Sequence, residues 1–340
     1  MNSGLDDVVA AETALSDVDG RNGRLIIAGH SLDALAGHMG FEVVLALLLN
    51  SETEVLKSAV AKARVAVFDQ LAAVDATLSA LSPIEALRAM MARLADGEDD
   101  NTAHRLIAAP AVFTAALIRR QQGLAAIPPD ANLGHAEDML TMTRGARPAP
   151  EQTAALETYL VTVADHGLNA STFAARVVAS TRAGLTSSVL AALSALKGPL
   201  HGGAPGPVLD MLDAIGSPGN AEAWLVDALH RGDRLMGFGH RIYRVRDPRA
   251  DALKSGLARL AAAGLVSPKR LALADVVETT ALKLLKQKSQ TGRLKPTSNF
   301  IRRCCWKRWA CRARHLPACS RPVALAAGSH MLRNKSQLDG

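Results

Sequence analysis

The first 300 residues contain no cysteine. All four cysteines, Cys304, Cys305, Cys311 and Cys319, come later, at spacings that form no CxxC pair. A disulfide framework and a cysteine-ligated zinc site are therefore excluded for the main body, and no metal is expected. A cysteine-free body fits the reducing cytoplasm. Aromatic residues make up only 3% of the chain, against 49% hydrophobic residues overall. Ala and Leu fill the apolar positions, which favours helices over a β-sandwich. No run reaches the ~18 apolar residues of a membrane span. Met1–Asp7 is acidic and lacks the shape of a signal peptide. GxGxxG, P-loop, HExxH and GxSxG motifs are all missing. What remains is 340 residues with ample apolar content, enough for one large domain or two ordinary ones.

Acidic residues are nearly absent from the last stretch. Residues 301–340 hold nine Lys or Arg and a single acid, Asp339, so this tail carries +8 and residues 1–300 carry −1. The net charge of +7 therefore belongs to the tail, and nucleic-acid binding is not expected of the body.

Residues 16–29 carry the one clear β signal, with turn pairs Asp19-Gly20 and Asn22-Gly23 ahead of a strand at Leu25, Ile26 and Ile27. Helices follow. Ser82-Pro83-Ile84-Glu85 reads as a capping box with Pro at the first helical position. Ile84, Leu87, Met91 and Leu94 then recur at helical spacing until Gly97. Residues 96–103 read as a polar linker and 145–151 as a second break, with a helix over 152–163 after it. Residues 172–195, rich in small side chains, predict a tightly packed, buried helix pair. Seven Gly and Pro residues crowd the stretch from Gly198 to Pro207, which places a domain boundary there. Further helices are predicted over 207–215, 220–231, 250–263 and 268–286. The expected division is a large helical domain over 1–197, a small domain over 198–295 and a disordered tail over 296–340.

Three histidines have unusual neighbours. His201, in Leu196–Gly206, precedes Gly202-Gly203, and His240, in Gly237–Asp251, follows Gly237 and Gly239. Glycine lets the backbone approach a ligand, and a turn leading into a helix suits an anion. These two imidazoles look presented rather than packed. His166, beside Asp165, divides evenly between a structural and a functional role. Arg241, Arg244, Arg246 and Arg249 could simply be a solvated helix start. Yet Asp247-Pro248-Arg249 fixes a turn that aims one guanidinium, whose fork suits a carboxylate. The residues alone thus describe a site for a small polyanion served by two histidines.

The segments HGLNAS, LKGPLHGGA and GFGHRIYRVRDPRAD resemble the citrate synthase and 2-methylcitrate synthase family, in its order and spacing. The opening GLDDVVAAETALSDVDGRNGRLIIAG is similar to that family's start. The resemblance runs from Gly4 to about Lys295. It implies a mainly α, two-domain fold, a homodimer, and a place in the tricarboxylic acid cycle. The implied transferase reaction condenses acetyl-CoA, or propionyl-CoA, with oxaloacetate and hydrolyses the thioester, with no cofactor besides the acyl-CoA substrate. Carried over by motif, His201 would hydrogen-bond the thioester carbonyl and stabilise the enol. His240 would polarise the oxaloacetate carbonyl and supply a proton. His166, Asn169 and Arg249 would hold oxaloacetate, and Arg241 and Arg244 would meet CoA phosphates.

The family's third catalytic group is a carboxylate, in a motif such as N-V-E-F. Here that region reads Gly292–Arg312, and no acid lies between Glu278 and Asp339. The genetic code offers a reason. Codons can be chosen for Pro296–Cys311 that read, two bases out of frame, Asn-Val-Glu-Phe-Tyr-Thr-Ala-Leu-Leu-Leu-Glu-Ala-Leu-Gly-Val-Pro. One lost A after the Lys295 codon suffices. The general base would then be a glutamate where Asn299 stands, and the basic tail, its cysteines, Trp306 and Trp309 would be products of the wrong frame. The family's last substrate-binding arginine is lost with them. Gly328-Ser329-His330-Met331 looks like a tag scar only by coincidence. Such a chain is expected to be impaired, with exposed apolar surface. The alternatives are a non-catalytic remnant that binds CoA or oxaloacetate, and a nucleic-acid binder acting through the basic tail.

Overall fold

Asp19 shapes the first β-turn among the described residues. In the computed structural model, which describes residues 11–73, 76–198, 201, 205–233, 235, 237–238, 245 and 247–290, the turn signals build a three-stranded antiparallel sheet. Its strands are β1 (Ser16–Asp19), β2 (Arg24–Ile27) and β3 (His30–Ser31), with Ser16 opposite Ile27 and Asp19 opposite Arg24. The Asp19 carboxylate accepts from the Arg21 and Asn22 backbone N–H groups, each at 3.1 Å, and from the Asn22 side-chain amide at 2.7 Å. The second turn is tighter. Ile27 faces His30 across Ala28 and Gly29, at φ +48° and +83°. Two positive φ values match the right-handed twist of the strands.

Apart from three short 3-10 segments, the remaining elements among the described residues are α-helices: α1 (Leu32–Leu35), α2 (Phe41–Leu49), α3 (Thr53–Phe68), α4 (Pro83–Met91), α5 (Asp100–Gln121), α6 (His135–Arg144) and α7 (Pro150–Ala164). They continue as α8 (Ala170–Ser180), α9 (Leu185–Leu196), α10 (Pro205–Ile215), α11 (Ala221–His230), α12 (Pro248–Ala262) and α13 (Pro268–Gln290). Pro83, Pro150, Pro248 and Pro268 each open a helix, where the missing N–H costs nothing.

Two hydrophobic cores result. The first joins β2 and helices α1–α7 and α9 with Leu253, Leu257 and Leu260 of α12. Helix α5 lies at its centre, buried on nearly every face from Thr102 to Ile118. The second joins α10, α11 and α13 through Val208, Leu212, Leu225, Leu273 and Val277, with Leu235 and Phe238.

Several details differ from the sequence reading. Ser82 precedes α4, but its hydroxyl donates to the Glu85 carboxylate at 2.6 Å and caps no backbone N–H. Half of the expected box is present, because the Glu85 carboxylate also takes a bond from the Ser82 backbone, and the direct side-chain bond replaces the other half. The polar stretch 96–103 is shorter as a linker than expected. Asp99 caps α5 by accepting from the Thr102 N–H at 2.7 Å, so α5 has begun by Asp100. Asp96 reaches across to α9 and accepts from the Thr186 and Ser187 N–H groups at 2.9 and 3.1 Å. Helix α7 starts two residues early, at Pro150, where Gln152 accepts from the Ala149 N–H at 2.9 Å. Helices α8 and α9 pair as expected. Helix α8 is not buried, however: Phe173 is 42% and Val177 51% exposed. The tail after 290 and its reading frame lie outside the described residues.

Candidate functional site

Helix α7 ends at Ala164, and the chain then makes a short loop into α8. Asp165 is extended, at φ −148° and ψ 150°, and Gly167 follows in the left-handed region at φ +83°. A side chain on Gly167 would meet Val18 of β1 at 3.1 Å, so the loop lies directly against the N-terminal sheet. The Asp165 carboxylate accepts from the Ser16 hydroxyl and, at 2.9 Å, from the Gly167 N–H. Burial pushes its pKa up, while bonds from Ser16 and from the backbone of Gly167 and His166 pull the other way. His166, half-buried, lies in the middle of this loop.

Asn169 starts α8. Its side-chain oxygen accepts from the Ser171 and Thr172 N–H groups at 3.0 and 3.2 Å, and the Thr172 hydroxyl accepts from the Asn169 N–H at 2.7 Å. Its amide donates to the Gly167 carbonyl at 3.3 Å. Every polar group of the Asn169 side chain thus has a role in the helix start. Any substrate contact by Asn169 would come on top of this capping duty.

In the first turn of α8, the buried Ser171 hydroxyl bonds the His201 Nε2. His201 also donates its backbone N–H to the Gly198 carbonyl at 3.0 Å, in the turn leaving α9. This contact brings together two of the three segments singled out in the sequence. The loop of His166 and the turn of His201 meet at the N-terminus of α8. That end carries the positive pole of the helix, a setting that favours an anion.

Arg249 lies in the first turn of α12 and is buried with Asp247. Asp247 caps α12 by accepting from the Arg249 backbone N–H at 3.0 Å. It also holds the guanidinium, with Nε to Oδ1 at 2.9 Å and Nη2 to Oδ2 at 2.6 Å. The carboxylate clamp expected of Arg249 is therefore already applied to its own helix cap, which fixes the orientation of the fork. Helix α12 packs on α7, the helix that leads to His166. His240, Arg241, Arg244 and the position of the missing carboxylate, Asn299, lie outside the described residues.

Two residues in this region have no role in the sequence reading. Ser171 closes the HGLNAS segment and Ser16 lies in the opening one, but both are small polar side chains whose spacing does not say what they bond. Only the fold brings one to Asp165 and the other to His201. No group of side chains able to hold a metal occurs among the described residues. None of their helices is long and apolar enough to cross a membrane. A surface groove of about 440 Å³ between α4 and α9, lined by Leu81, Glu85, Arg88, Leu190 and Ser194, contains none of these site residues.

Comparison with known proteins follows the same lines. The family described as "Citrate synthase, C-terminal domain" matches residues 4–317. The citrate synthase of Mycolicibacterium smegmatis is 38% identical over 280 residues, covering 77% of this chain and 74% of that protein. The 2-methylcitrate synthase of Mycobacterium tuberculosis H37Rv is 36% identical over 280 residues, covering 76% of this chain and 70% of that protein. Among solved structures, the citrate synthase of Thermoplasma acidophilum, in a ternary complex with carboxymethyl coenzyme A and oxaloacetate, superposes with a TM-score of 0.85. It is 26% identical, and the match covers 99% of this chain and 93% of that one.

Proposed function

The chain belongs to the citrate synthase family, and from that premise we propose that its frame-intact form condenses acetyl-CoA or propionyl-CoA with oxaloacetate, and that the chain as it stands is catalytically impaired. The observation that carries the reading is the Ser171–His201 bond at the start of α8. It sets an imidazole against the helix start that Asn169 caps and that the His166 loop leads into.

In the proposed reaction a base removes a proton from the carbon beside the thioester. Charge gathers on the thioester oxygen, where a donor from His201 stabilises the enol, commonly the largest single contribution in such chemistry. The enol carbon attacks the oxaloacetate carbonyl, and His240 polarises that oxygen and protonates it as the alcohol forms. His166 and Arg249 hold the oxaloacetate carboxylates, and Asn169 lines the pocket. Arg241 and Arg244 would meet the CoA phosphates. Water then cleaves the thioester to release CoA. Closure of the second core over the first would keep water out until condensation is complete.

The proposal includes a homodimer in the cytoplasm, with no resident cofactor or metal. The exposed Phe173 and Val177 on α8 support the dimer, because an apolar stripe beside a site is where a second subunit would seat. The missing acid supports the impairment, because loss of a general base commonly costs ~10²–10⁴ in rate.

The test compares the full chain with a version in which one A is returned after the Lys295 codon, with release of CoA thiol as the readout. The restored chain should turn over, and the chain as it stands should be slower by at least ~10². Equal rates would overturn the impairment. No turnover in a folded restored chain would overturn the condensation. A binding remnant remains the second reading, favoured by the ordered set of Asn169, His201 and the Asp247–Arg249 pair. Oxaloacetate binding by the unrestored chain would support it.

A further inference from the structure

Asp165 is a buried carboxylate that the proposed chemistry does not use. Taking such a group out of water costs several kcal/mol unless it is fully bonded. A loop that only had to join two helices would not need one. Here the carboxylate gathers donors from both sides of His166. The Gly167 N–H lies 2.9 Å from Oδ1, and the backbone of His166 bonds the same carboxyl. The Ser16 hydroxyl donates to Asp165 and accepts from the Gly167 N–H at 2.9 Å, so one side chain of β1 closes the ring. Val18, two residues along β1, crowds position 167, where a Cβ would lie 3.1 Å from its side chain. The strand therefore supplies the loop with both a polar tie and a steric wall.

We propose that Ser16 and Asp165 are positioning residues for His166, so that the N-terminal sheet forms part of the dicarboxylate pocket. The effect passes through the backbone. The ring of bonds fixes the peptide units on either side of residue 166 and hence the direction in which its imidazole leaves the loop. The proposal rests on the reading that His166 contacts oxaloacetate.

The test uses the full chain. Oxaloacetate binding is measured by calorimetry for wild type, Ser16→Ala and Ser16→Thr. The imidazole signal of His166 is followed by NMR in the absence of ligand, assigned by its loss in His166→Gln. Ser16→Ala should weaken binding about tenfold, the scale of one lost hydrogen bond, and shift the His166 signal. Ser16→Thr, which keeps the hydroxyl, should restore both. Unchanged affinity and an unmoved signal in Ser16→Ala would overturn the proposal, as would a folded Ser16→Thr that restores neither. Should Ser16→Ala fail to fold, Asp165→Asn is read the same way, and wild-type affinity in it overturns the proposal. Should the wild type bind no oxaloacetate, the pocket reading fails on its own, and the ligand-free His166 signal still decides whether Ser16 sets the position of the ring.

Discussion

Arg64 and Asp138 meet with Nε 2.6 Å from Oδ2, and both side chains are almost wholly shielded from water. The pair joins α3 to α6. Arg64 also donates to the Leu133 carbonyl at 2.7 Å, and Asp138 accepts from the Asp130 N–H at 3.0 Å. The two charges thus hold down the loop before α6. Arg64→Ala would leave the carboxylate buried and unpaired, and should destabilise the protein by about 3–5 kcal/mol. Replacing both partners with apolar residues of similar volume should cost much less. Denaturant unfolding of the single and double variants measures the difference.

Gly184 should tolerate no side chain. Its φ is +98°, and a Cβ there would lie 2.0 Å from the Asp96 carboxylate that caps α9. Gly184→Ala combines left-handed strain of ~1–2 kcal/mol with displacement of a cap worth ~1 kcal/mol. The expected loss is roughly 2–3 kcal/mol, seen as a lowered unfolding midpoint. Asp96→Ala should show the smaller part of that loss alone.

Glu157 should make stability fall as pH rises toward neutrality. Burial, with Glu42 and Glu137 nearby, pushes its pKa up to about 7 from 4.5. The folded state therefore holds a proton that the unfolded state releases. Its favourable contribution is complete below pH 4.5 and is lost as pH climbs through about 7. Glu157→Gln should raise the melting temperature at pH 8 and leave it nearly unchanged at pH 4.5. Equal shifts at both pH values would contradict this assignment.

His135 should act at the acid end. It is buried against Phe41, with ring centroids 5.4 Å apart, and burial with Arg64 close by lowers its pKa to about 3. The neutral ring supports the fold above pH 6.5, and that support fades as pH falls toward 3. His135→Phe should flatten the acid limb of the stability curve, read from urea midpoints between pH 3 and 7.

Ser171→Ala should separate positioning from folding in the frame-restored chain. The expected loss is about tenfold in kcat, the size of one hydrogen bond, with little change in melting temperature. Ser171→Thr should recover most of the rate.

Local signals were readable in the sequence because local physics sets them. Pro83 and Pro268 mark helix starts, and Asp19 and Asn22 mark the turn between β1 and β2, whereas Pro150 and Pro248 open helices where the sequence reads a break and a turn. Ala28 shows the limit. Alanine seldom adopts φ +48°, and only the pairing of Ile27 with His30 forces it. The caps at a distance were equally hidden. Asp96 serves a helix 90 residues away and Ser16 a loop 149 residues away, so neither leaves a periodic trace. The small residues of 172–195 spoke for close packing, which α8 and α9 achieve, but composition does not say that one face of α8 stays open. For the site, glycine neighbours drew attention to His201. Its bond to Ser171, the last residue of the HGLNAS segment, could come only from the fold.

The two cores interleave along the chain. Members of the first run from Leu15 to Leu260, and those of the second from Val208 to Ala281. A nascent polypeptide leaving the ribosome must therefore begin the second core before it can finish the first. Until Leu253, Leu257 and Leu260 emerge, the face of α7 that receives α12 has nothing to cover it. A chaperone would find its binding surface there, and only for as long as translation takes to pass residue 260.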